Sequence, residues 1–285
     1  MKSKLKYSEL NITNVCNYSC THCQSFNNYA FKGHQRWSDY ENEYTLLSRQ
    51  IDIDVIQIIG GEPTLNPDFY KWLDGVSKLW PKSQLQIATN GTALDKITHD
   101  VYDVLARNNG TLWITCHDIR LYTGFLDFIN SFLDDIISDT GEPPARKVSR
   151  IFVDKNGVEV ILDWTQTFRS SAVDLIDNKL VMKYNSDPVE SHRNCGFKTC
   201  HQMNKGKLYK CPLVSVLPDF LNQFDVSVID KELALSYQPM SHDDNVKEFV
   251  DNLDNHIPQC KFCPSNYNES HEFVGTDKKI KVKSL

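Results

Sequence analysis

Residues 55–63 read VIQIIGGEP, a nearly continuous apolar run that stops at two glycines. Such a run is typical of a strand that is covered on both faces, as in a parallel sheet. Amphipathic helical patterns lie on either side of it, one between Ser38 and Ile51 and the other from Phe69 to Trp80. We therefore expect the run to be the second strand of a repeated strand–helix fold.

The alternation continues in both directions along the chain. Further strands are predicted at Tyr7 to Ile12, Leu85 to Ala88 and Leu112 to Thr115, and further helical stripes at Ile97 to Leu105 and Leu126 to Ile137. Residues 149–162 read as two strands joined by an Asn-Gly turn, and 180–184 read as the last strand of the sheet. These patterns predict an α/β fold, a partial (β/α)6 TIM-like barrel with a parallel sheet.

The composition changes near Asp187, where polar residues, cysteine and proline become frequent. We interpret this change as a domain boundary. It divides the chain into a partial barrel at 1–186 and a small cysteine-rich domain at 187–285.

Charge and hydropathy exclude several classes of partner. The 285 residues carry a net charge of -6 with a pI near 5.8, so no overall positive field attracts nucleic acid. No apolar run approaches the length of a membrane span, and none follows the first lysines as in a signal peptide. We expect a cytoplasmic protein, a monomer, with no nucleic-acid or membrane partner.

Nine cysteines are many for a chain without an export signal. In a reducing compartment they are expected to be metal ligands or catalytic groups rather than disulfides. They fall into three sets, so two cysteine centres and one isolated thiol are predicted: Cys16, Cys20 and Cys23; Cys116 alone; and Cys195, Cys200, Cys211, Cys260 and Cys263.

The first set has the spacing C-x3-C-x2-C and follows the first predicted strand. Three thiolates on one loop can bind three irons of a cuboidal cluster and leave the fourth iron open to a ligand. A structural zinc site with a distant fourth ligand and a set of unmetallated core thiols are the alternatives.

The triplet, with His22 between its last two cysteines, resembles the cluster-binding motif of the radical SAM superfamily. The resemblance implies a 4Fe-4S cluster that binds S-adenosylmethionine at its open iron and cleaves it to methionine and a 5′-deoxyadenosyl radical. It also implies that His22 lies against the adenine.

Three segments at predicted strand ends add to this resemblance, because active sites of parallel barrels assemble at the carboxyl ends of the strands. The GGEP motif of the family matches Gly60, Gly61, Glu62 and Pro63, whose backbone or carboxylate is implied to accept hydrogen bonds from the cofactor's ammonium. Asn90 and Thr115 match positions near the cofactor. A plain strand-to-helix turn remains the alternative at GGEP, and a generic Asn-Gly turn at Asn90.

The last cysteine set resembles the shortened auxiliary-cluster domain called twitch, which implies one auxiliary 4Fe-4S cluster. Cys211, Cys260 and Cys263 match its ligands, and either Cys195 or Cys200 supplies the fourth. A zinc ribbon-like site is the alternative.

Cys116 follows a predicted strand end. As in some radical SAM epimerases, its thiol can donate a hydrogen atom to a substrate radical. The alternative is a buried structural cysteine.

The expected function is hydrogen abstraction from a small polar metabolite, such as a sugar or aminocyclitol, or from a peptide. An auxiliary cluster favours net oxidation, and an external donor such as flavodoxin or ferredoxin supplies the electron. A radical epimerase, a peptide-crosslinking enzyme and an activase of a glycyl-radical partner are alternatives within the family. A non-enzymatic zinc-binding adaptor is the alternative outside it.

Overall fold

The computed structural model describes residues 2–141, 149–164, 167–266, 270–272, 275–276, 280 and 282. In these ranges the helices are α1 (Glu41–Ser48), α2 (Phe69–Leu79), α3 (His99–Arg107), α4 (Tyr122–Phe132), α5 (Pro188–Asn194), α6 (Pro212–Gln223), α7 (Lys231–Leu235) and α8 (Val246–Asn252). The strands are β1 (Ser3–Asn11), β2 (Ser19–Cys20), β3 (Ile51–Ile59), β4 (Gln84–Thr89), β5 (Thr111–Thr115), β6 (Ile136–Asp139), β7 (Ser149–Asp154), β8 (Glu159–Asp163), β9 (Thr167–Arg169), β10 (Val173–Ile176), β11 (Lys179–Met182), β12 (His201–Asn204), β13 (Lys207–Tyr209), β14 (Val226–Ser227), β15 (Ser270–Glu272) and β16 (Gly275–Thr276).

The main sheet has the strand order β13-β12-β1-β3-β4-β5-β8-β7-β6. Its six central strands, from β12 to β8, pair in parallel, and the outer strands on both sides pair antiparallel. This mostly parallel α/β sheet confirms the predicted partial barrel. The predicted hairpin at 149–162 is also confirmed, as β7 and β8.

The fourth helix is shorter than the sequence pattern predicts. It ends at Phe132, and Ile136 begins strand β6. Asp135 has a left-handed backbone with φ 55°, which interrupts the helix, and the side chain of Ile137 is 70% exposed. The apolar residues that extended the helical stripe therefore belong to the edge strand of the sheet.

The strand expected at 180–184 was assigned to the wrong sheet. Residues 179–182 form β11, which pairs with β10 and β14 in a separate three-stranded sheet. Asp177 and Asn178 both have positive φ, the conformation of a tight two-residue hairpin turn, so this segment folds back on β10. The sixth parallel strand is β12, which lies beyond the predicted boundary at 187; that domain division stays a prediction.

Two apolar clusters hold the molecule together. The larger one fills the space between the main sheet and its helices, with Tyr44, Trp72 and Leu105 among its fully buried members. The smaller one is centred on Phe220 of α6 and includes Phe26, whose ring centroid lies 4.7 Å from that of Phe220. The segment just after the cysteine triplet is thus packed against the C-terminal part of the chain.

The C-terminal segment also contacts the loop of the triplet. Strand β16 pairs antiparallel with β2, which places Gly275 opposite Cys20, and the N–H of Ile280 donates to the carbonyl of Asn28 at 2.9 Å. Within the described ranges, no helix is long and apolar enough to cross a membrane.

Candidate active site

The cysteine triplet lies on a loop at the carboxyl end of β1. The N–H of Cys23 donates to the carbonyl of Cys20 at 3.3 Å, and His22 between them has a left-handed backbone with φ 60°. All three cysteines are partly exposed. The loop therefore turns tightly and keeps its three thiols near the surface of the site.

The two glycines of the GGEP motif let this loop approach the end of β3. The N–H of Gly61 donates to the carbonyl of Thr13 and that of Glu62 to the carbonyl of Val15, both at 2.8 Å. A Cβ on Gly61 would lie 2.3 Å from the oxygen of Val15 and 2.9 Å from the Cβ of Cys16. Only glycine allows this contact, which places the loop bearing Cys16 directly on the GGEP segment.

Glu62 is fully buried and is hydrogen-bonded inside the protein. Its Oε1 accepts from the N–H and hydroxyl of Thr64 and from the hydroxyl of Thr89, and its Oε2 accepts from the N–H of Asn90. Burial raises the pKa of this carboxyl, and these donors oppose the rise. The side chain therefore joins the ends of β3 and β4; the ammonium contact implied by the family resemblance stays a prediction.

Asn90 extends from the end of β4 to the cysteine loop. Its Nδ2 lies 3.8 Å from the Sγ of Cys16 and donates to the Oδ1 of Asn17 at 2.9 Å. Its Oδ1 accepts from the hydroxyl of Thr92, which also accepts from the Nδ2 of Asn17. The Asn-Gly segment is thus part of the same site as the triplet. The contacts of Asn17 and Thr92 were not predicted, because β1 and β4 are not neighbours and no sequence spacing relates the loops that follow them.

Thr115 is the last residue of β5, and Cys116 follows it. Thr115 is partly exposed and pairs with Asp163 of β8. Cys116 is fully buried in the larger apolar cluster, its thiol donates to the carbonyl of Asp118, and burial raises its pKa to about 11. Burial in the apolar cluster favours a structural cysteine over a thiol that donates a hydrogen atom to a substrate radical.

His117 follows Cys116 and lies against the cysteine loop. Its ring is 6.0 Å from that of Tyr18 in an edge-to-face arrangement. Burial lowers its pKa to about 4, so the ring is neutral at physiological pH. Tyr18 and His117 close the site on the side of β5.

Four of the five C-terminal cysteines line one small cavity: Cys195, Cys211, Cys260 and Cys263. Lys210, whose side chain is buried, lines the same cavity, and its ammonium donates to the carbonyl of Leu253. Burial lowers the pKa of Lys210, and the neighbouring cysteines oppose this. Lys210 thus places a buried ammonium group beside these cysteines.

Cys200 is not among the residues that line this cavity. It directly precedes β12, in the position next to Tyr7 of β1. Burial, and then the carboxylate of Glu9, raise the pKa of its thiol to about 12. Of the two candidates for the fourth ligand, the cavity therefore contains Cys195.

The donor sets fit iron–sulfur clusters by their chemistry. In the described part of the chain no three or more histidine, cysteine, aspartate or glutamate side chains converge as the ligands of one metal ion. Thiolates are ligands of zinc as well as of iron, and each cysteine of a cuboidal cluster binds a different iron. Three thiols on one loop, with an amide beside the first, supply the donors that a four-iron cluster with one open iron requires.

Comparison with known proteins gives partial matches. Residues 10–119 match the family model described as the Radical SAM superfamily. A GTP 3',8-cyclase of Nautilia profundicola is 29% identical over 112 residues, 38% of this chain and 35% of that relative. A GTP 3',8-cyclase of Campylobacter jejuni subsp. doylei is 26% identical over 136 residues, 47% of this chain and 42% of that relative. The chain thus aligns with less than half the length of these curated relatives.

The likeness to solved structures is also partial. The crystal structure of BtrN in complex with AdoMet and 2-DOIA is 21% identical, with a TM-score of 0.34, and the match covers 41% of this chain and 48% of that one. The fold assignment accordingly depends on the strand order described above. The range that matches the family model, residues 10–119, contains the triplet, the GGEP segment and Asn90.

Proposed function

We propose that the protein reductively cleaves S-adenosylmethionine to a 5′-deoxyadenosyl radical and abstracts hydrogen from a small polar metabolite or a peptide, with net oxidation of the substrate. The observation that carries the proposal is the contact between the cysteine loop and the GGEP segment, where Gly61 admits Cys16. Cys16, Cys20 and Cys23 would hold the cluster, which supplies an electron to the sulfonium when the cofactor is bound.

The remaining residues of the site would orient the cofactor and shield it from water. Asn90 faces the loop from β4, and the neutral ring of His117 covers Tyr18 from β5. Exclusion of water protects reactive intermediates. Asn90 is held by hydrogen bonds to Asn17 and Thr92, which favours a site that is ordered before the cofactor binds.

Net oxidation is favoured by the second set of cysteines. A cavity beside them is lined by Gln24, the residue after Cys23, and also by Cys195, Cys211 and Cys263. The residue that follows the triplet thus lies at the same cavity as the second set of cysteines. A second centre at this position could accept the electron that a substrate radical loses. We propose Cys195, Cys211, Cys260 and Cys263 as its ligands, in a twitch-like domain, and a flavodoxin or ferredoxin as the external donor.

The test is anaerobic incubation of the reconstituted protein with S-adenosylmethionine and dithionite, followed by chromatography for 5′-deoxyadenosine. Wild type is expected to form it, and Cys20→Ala is expected to form none. Cys116→Ala, which changes a cysteine of the apolar core, is the matched control and is expected to retain the activity. Wild type that forms no 5′-deoxyadenosine while holding its full iron content would contradict the proposal.

A second candidate function comes from the names of the relatives. The two curated relatives above are GTP 3',8-cyclases, so cyclisation of a nucleotide is the alternative reaction. GTP that is consumed in proportion to 5′-deoxyadenosine would favour it over oxidation of a metabolite. Zinc without iron in the purified protein would instead favour a structural adaptor.

A further inference from the structure

One row of side chains across the parallel sheet is polar in every strand. The pairing of neighbouring strands places the six residues side by side in one register row: Gln202, Glu9, Gln57, Gln86, Thr111 and Glu159. Paired residues of neighbouring strands point to the same face of a sheet, so all six share one face. The interior of a parallel barrel is normally filled with branched apolar side chains.

Hydrogen bonds connect this row, which we call the polar row. The amide of Gln202 donates to Glu9 at 3.1 Å, and that of Gln57 donates to Gln86 at 3.3 Å. The hydroxyl of Thr111 donates to Glu159 at 3.2 Å. Tyr7, which precedes Glu9 by two residues on the same face of β1, donates to the side-chain oxygen of Gln57 at 2.8 Å. These contacts fix the orientation of the side chains before any ligand binds.

The middle of the row is partly accessible, whereas Gln202 and Thr111 are fully buried. Glu9, Gln57 and Gln86 are partly exposed, whereas Ile58 and Ile87, on the other face, are fully buried. The row also has an unused acceptor: Gln202 is completely buried, and its Oε1 has no hydrogen-bond partner. A buried polar atom without a partner is costly unless a ligand or water satisfies it.

On the six parallel strands the charge of this face is exclusively negative, and the cation Lys207 lies on the neighbouring edge strand β13, paired with Asn204. Among the residues of β12, β1, β3, β4, β5 and β8 that share the face of the row, the charged ones are Glu9, Glu159 and Asp163. None of these strand positions holds lysine or arginine. Recognition of a triphosphate normally depends on such cations, so the face does not favour a nucleotide.

We propose that the polar row is the substrate-recognition surface and that Glu9 binds a primary ammonium group of a small polyhydroxylated substrate. This inference rests on the proposed function and names its substrate class. The amide groups of Gln57 and Gln86 would bind hydroxyl groups, and the free acceptor of Gln202 would take a further donor of the ligand. Glu9 is a positioning residue for substrate; the radical chemistry does not pass through it.

The test compares three probes that differ in charge: 2-deoxystreptamine, which is a diamine on a hydroxylated ring; myo-inositol, which has the ring without amines; and GTP. Dissociation constants are measured by anaerobic calorimetry on the reconstituted protein with S-adenosylmethionine present. The titrations are made at pH 8, since burial raises the pKa of Glu9 to about 7. The diamine is expected to bind wild type more tightly than myo-inositol, and GTP is not expected to bind.

Glu9→Gln keeps the shape of the side chain and removes its charge. It is expected to lower the preference for the diamine over myo-inositol by about tenfold or more, as expected for a lost charged hydrogen bond. Glu41→Gln, at an exposed position at the start of α1, is the matched control and is expected to leave the preference unchanged. Thermal unfolding of both variants checks that they fold.

Three results would overturn the inference: binding of GTP to wild type, equal preference for the diamine in wild type and Glu9→Gln, or no binding of the diamine to wild type. Formation of 5′-deoxyadenosine by the same samples without any probe tests the proposed function separately. A sample that cleaves S-adenosylmethionine but gives one of these three results retains the proposed function and loses this substrate class.

Discussion

Gly61 shows how a single residue joins the two motifs of the site. Its missing side chain leaves room for the carbonyl of Val15, which a Cβ would approach to 2.3 Å. Gly61→Ala is expected to displace the loop of Cys16, to lower the free energy of unfolding by about 1–3 kcal/mol, as overpacking does, and to abolish cleavage of S-adenosylmethionine. Chemical unfolding and a 5′-deoxyadenosine assay measure the two effects.

Gly124 provides the matched control for this substitution. It lies in α4, and a Cβ added there would have nothing within 4 Å. Gly124→Ala is expected to stabilise the protein by up to about 1 kcal/mol, because alanine favours a helix over glycine, and to leave the activity intact. If Gly61→Ala and Gly124→Ala had the same stability and the same activity, crowding at Val15 would not explain the effect of Gly61→Ala.

Glu9 makes the stability depend on pH in a defined direction. Burial raises the pKa of its carboxyl from 4.5 to about 7, so the folded chain holds this proton more tightly than the unfolded chain. The contribution of Glu9 to stability is therefore greatest below pH 4.5 and declines as the pH rises to about 7. Between pH 5 and pH 8, wild type should lose up to about 2.5 kcal/mol more stability than Glu9→Gln. Urea unfolding at both pH values measures this, and parallel losses would contradict the assigned pKa.

The polar row shows which part of the site the sequence does not reveal. Polar residues recur in otherwise apolar strands, as at Gln57, Gln84 and Gln86, and this is a visible signal. Their alignment with Glu9 and Gln202 depends on strand register, which a single sequence does not fix. The triplet and the GGEP segment were predictable because each is a local motif at the end of its strand.

At the level of elements, local patterns predicted strands well and their partners less well. β4 and β5 lie close to their predicted ranges because their apolar runs are bounded by glycine, proline or asparagine. β3 begins at Ile51, which the sequence pattern placed in the preceding helix, and α1 ends at Ser48. β6 and β11 were misassigned, because left-handed residues at Asp135 and at Asp177 and Asn178 redirect the chain within a few residues. Such conformations leave no periodic signal.

The C-terminal segment is an element that supports the cysteine loop. β16 pairs with β2 at Cys20, and Ile280 donates to Asn28. Deletion of residues 270–285 is therefore expected to make the loop less ordered and to speed the loss of iron from the triplet. The decay of visible absorption with a chelator, followed in the full chain and in the truncated chain, measures this. Equal decay rates would show that the pairing does not stabilise the site.

At the level of the whole molecule, the C-terminal part brings four cysteines to one cavity. Cys195 lines the cavity with Cys211, Cys260 and Cys263, and Cys200 lies beside Tyr7 and Glu9 instead. Cys195→Ser is therefore expected to lose iron from the second centre, and Cys200→Ser, the matched control, is expected to keep it. Iron analysis of both variants after identical reconstitution distinguishes them; the reverse result would make Cys200 the ligand.

The central claim is that the triplet holds a cluster that binds S-adenosylmethionine. The most direct measurement is iron content together with the electron paramagnetic resonance spectrum of the dithionite-reduced protein, with and without S-adenosylmethionine. Wild type is expected to hold about eight irons in two four-iron clusters and to change its spectrum when S-adenosylmethionine is added. The Cys16, Cys20 and Cys23 triple alanine variant is expected to hold about four irons and to show no change. Zinc in place of iron, or a spectrum that S-adenosylmethionine changes equally in both proteins, would contradict the account.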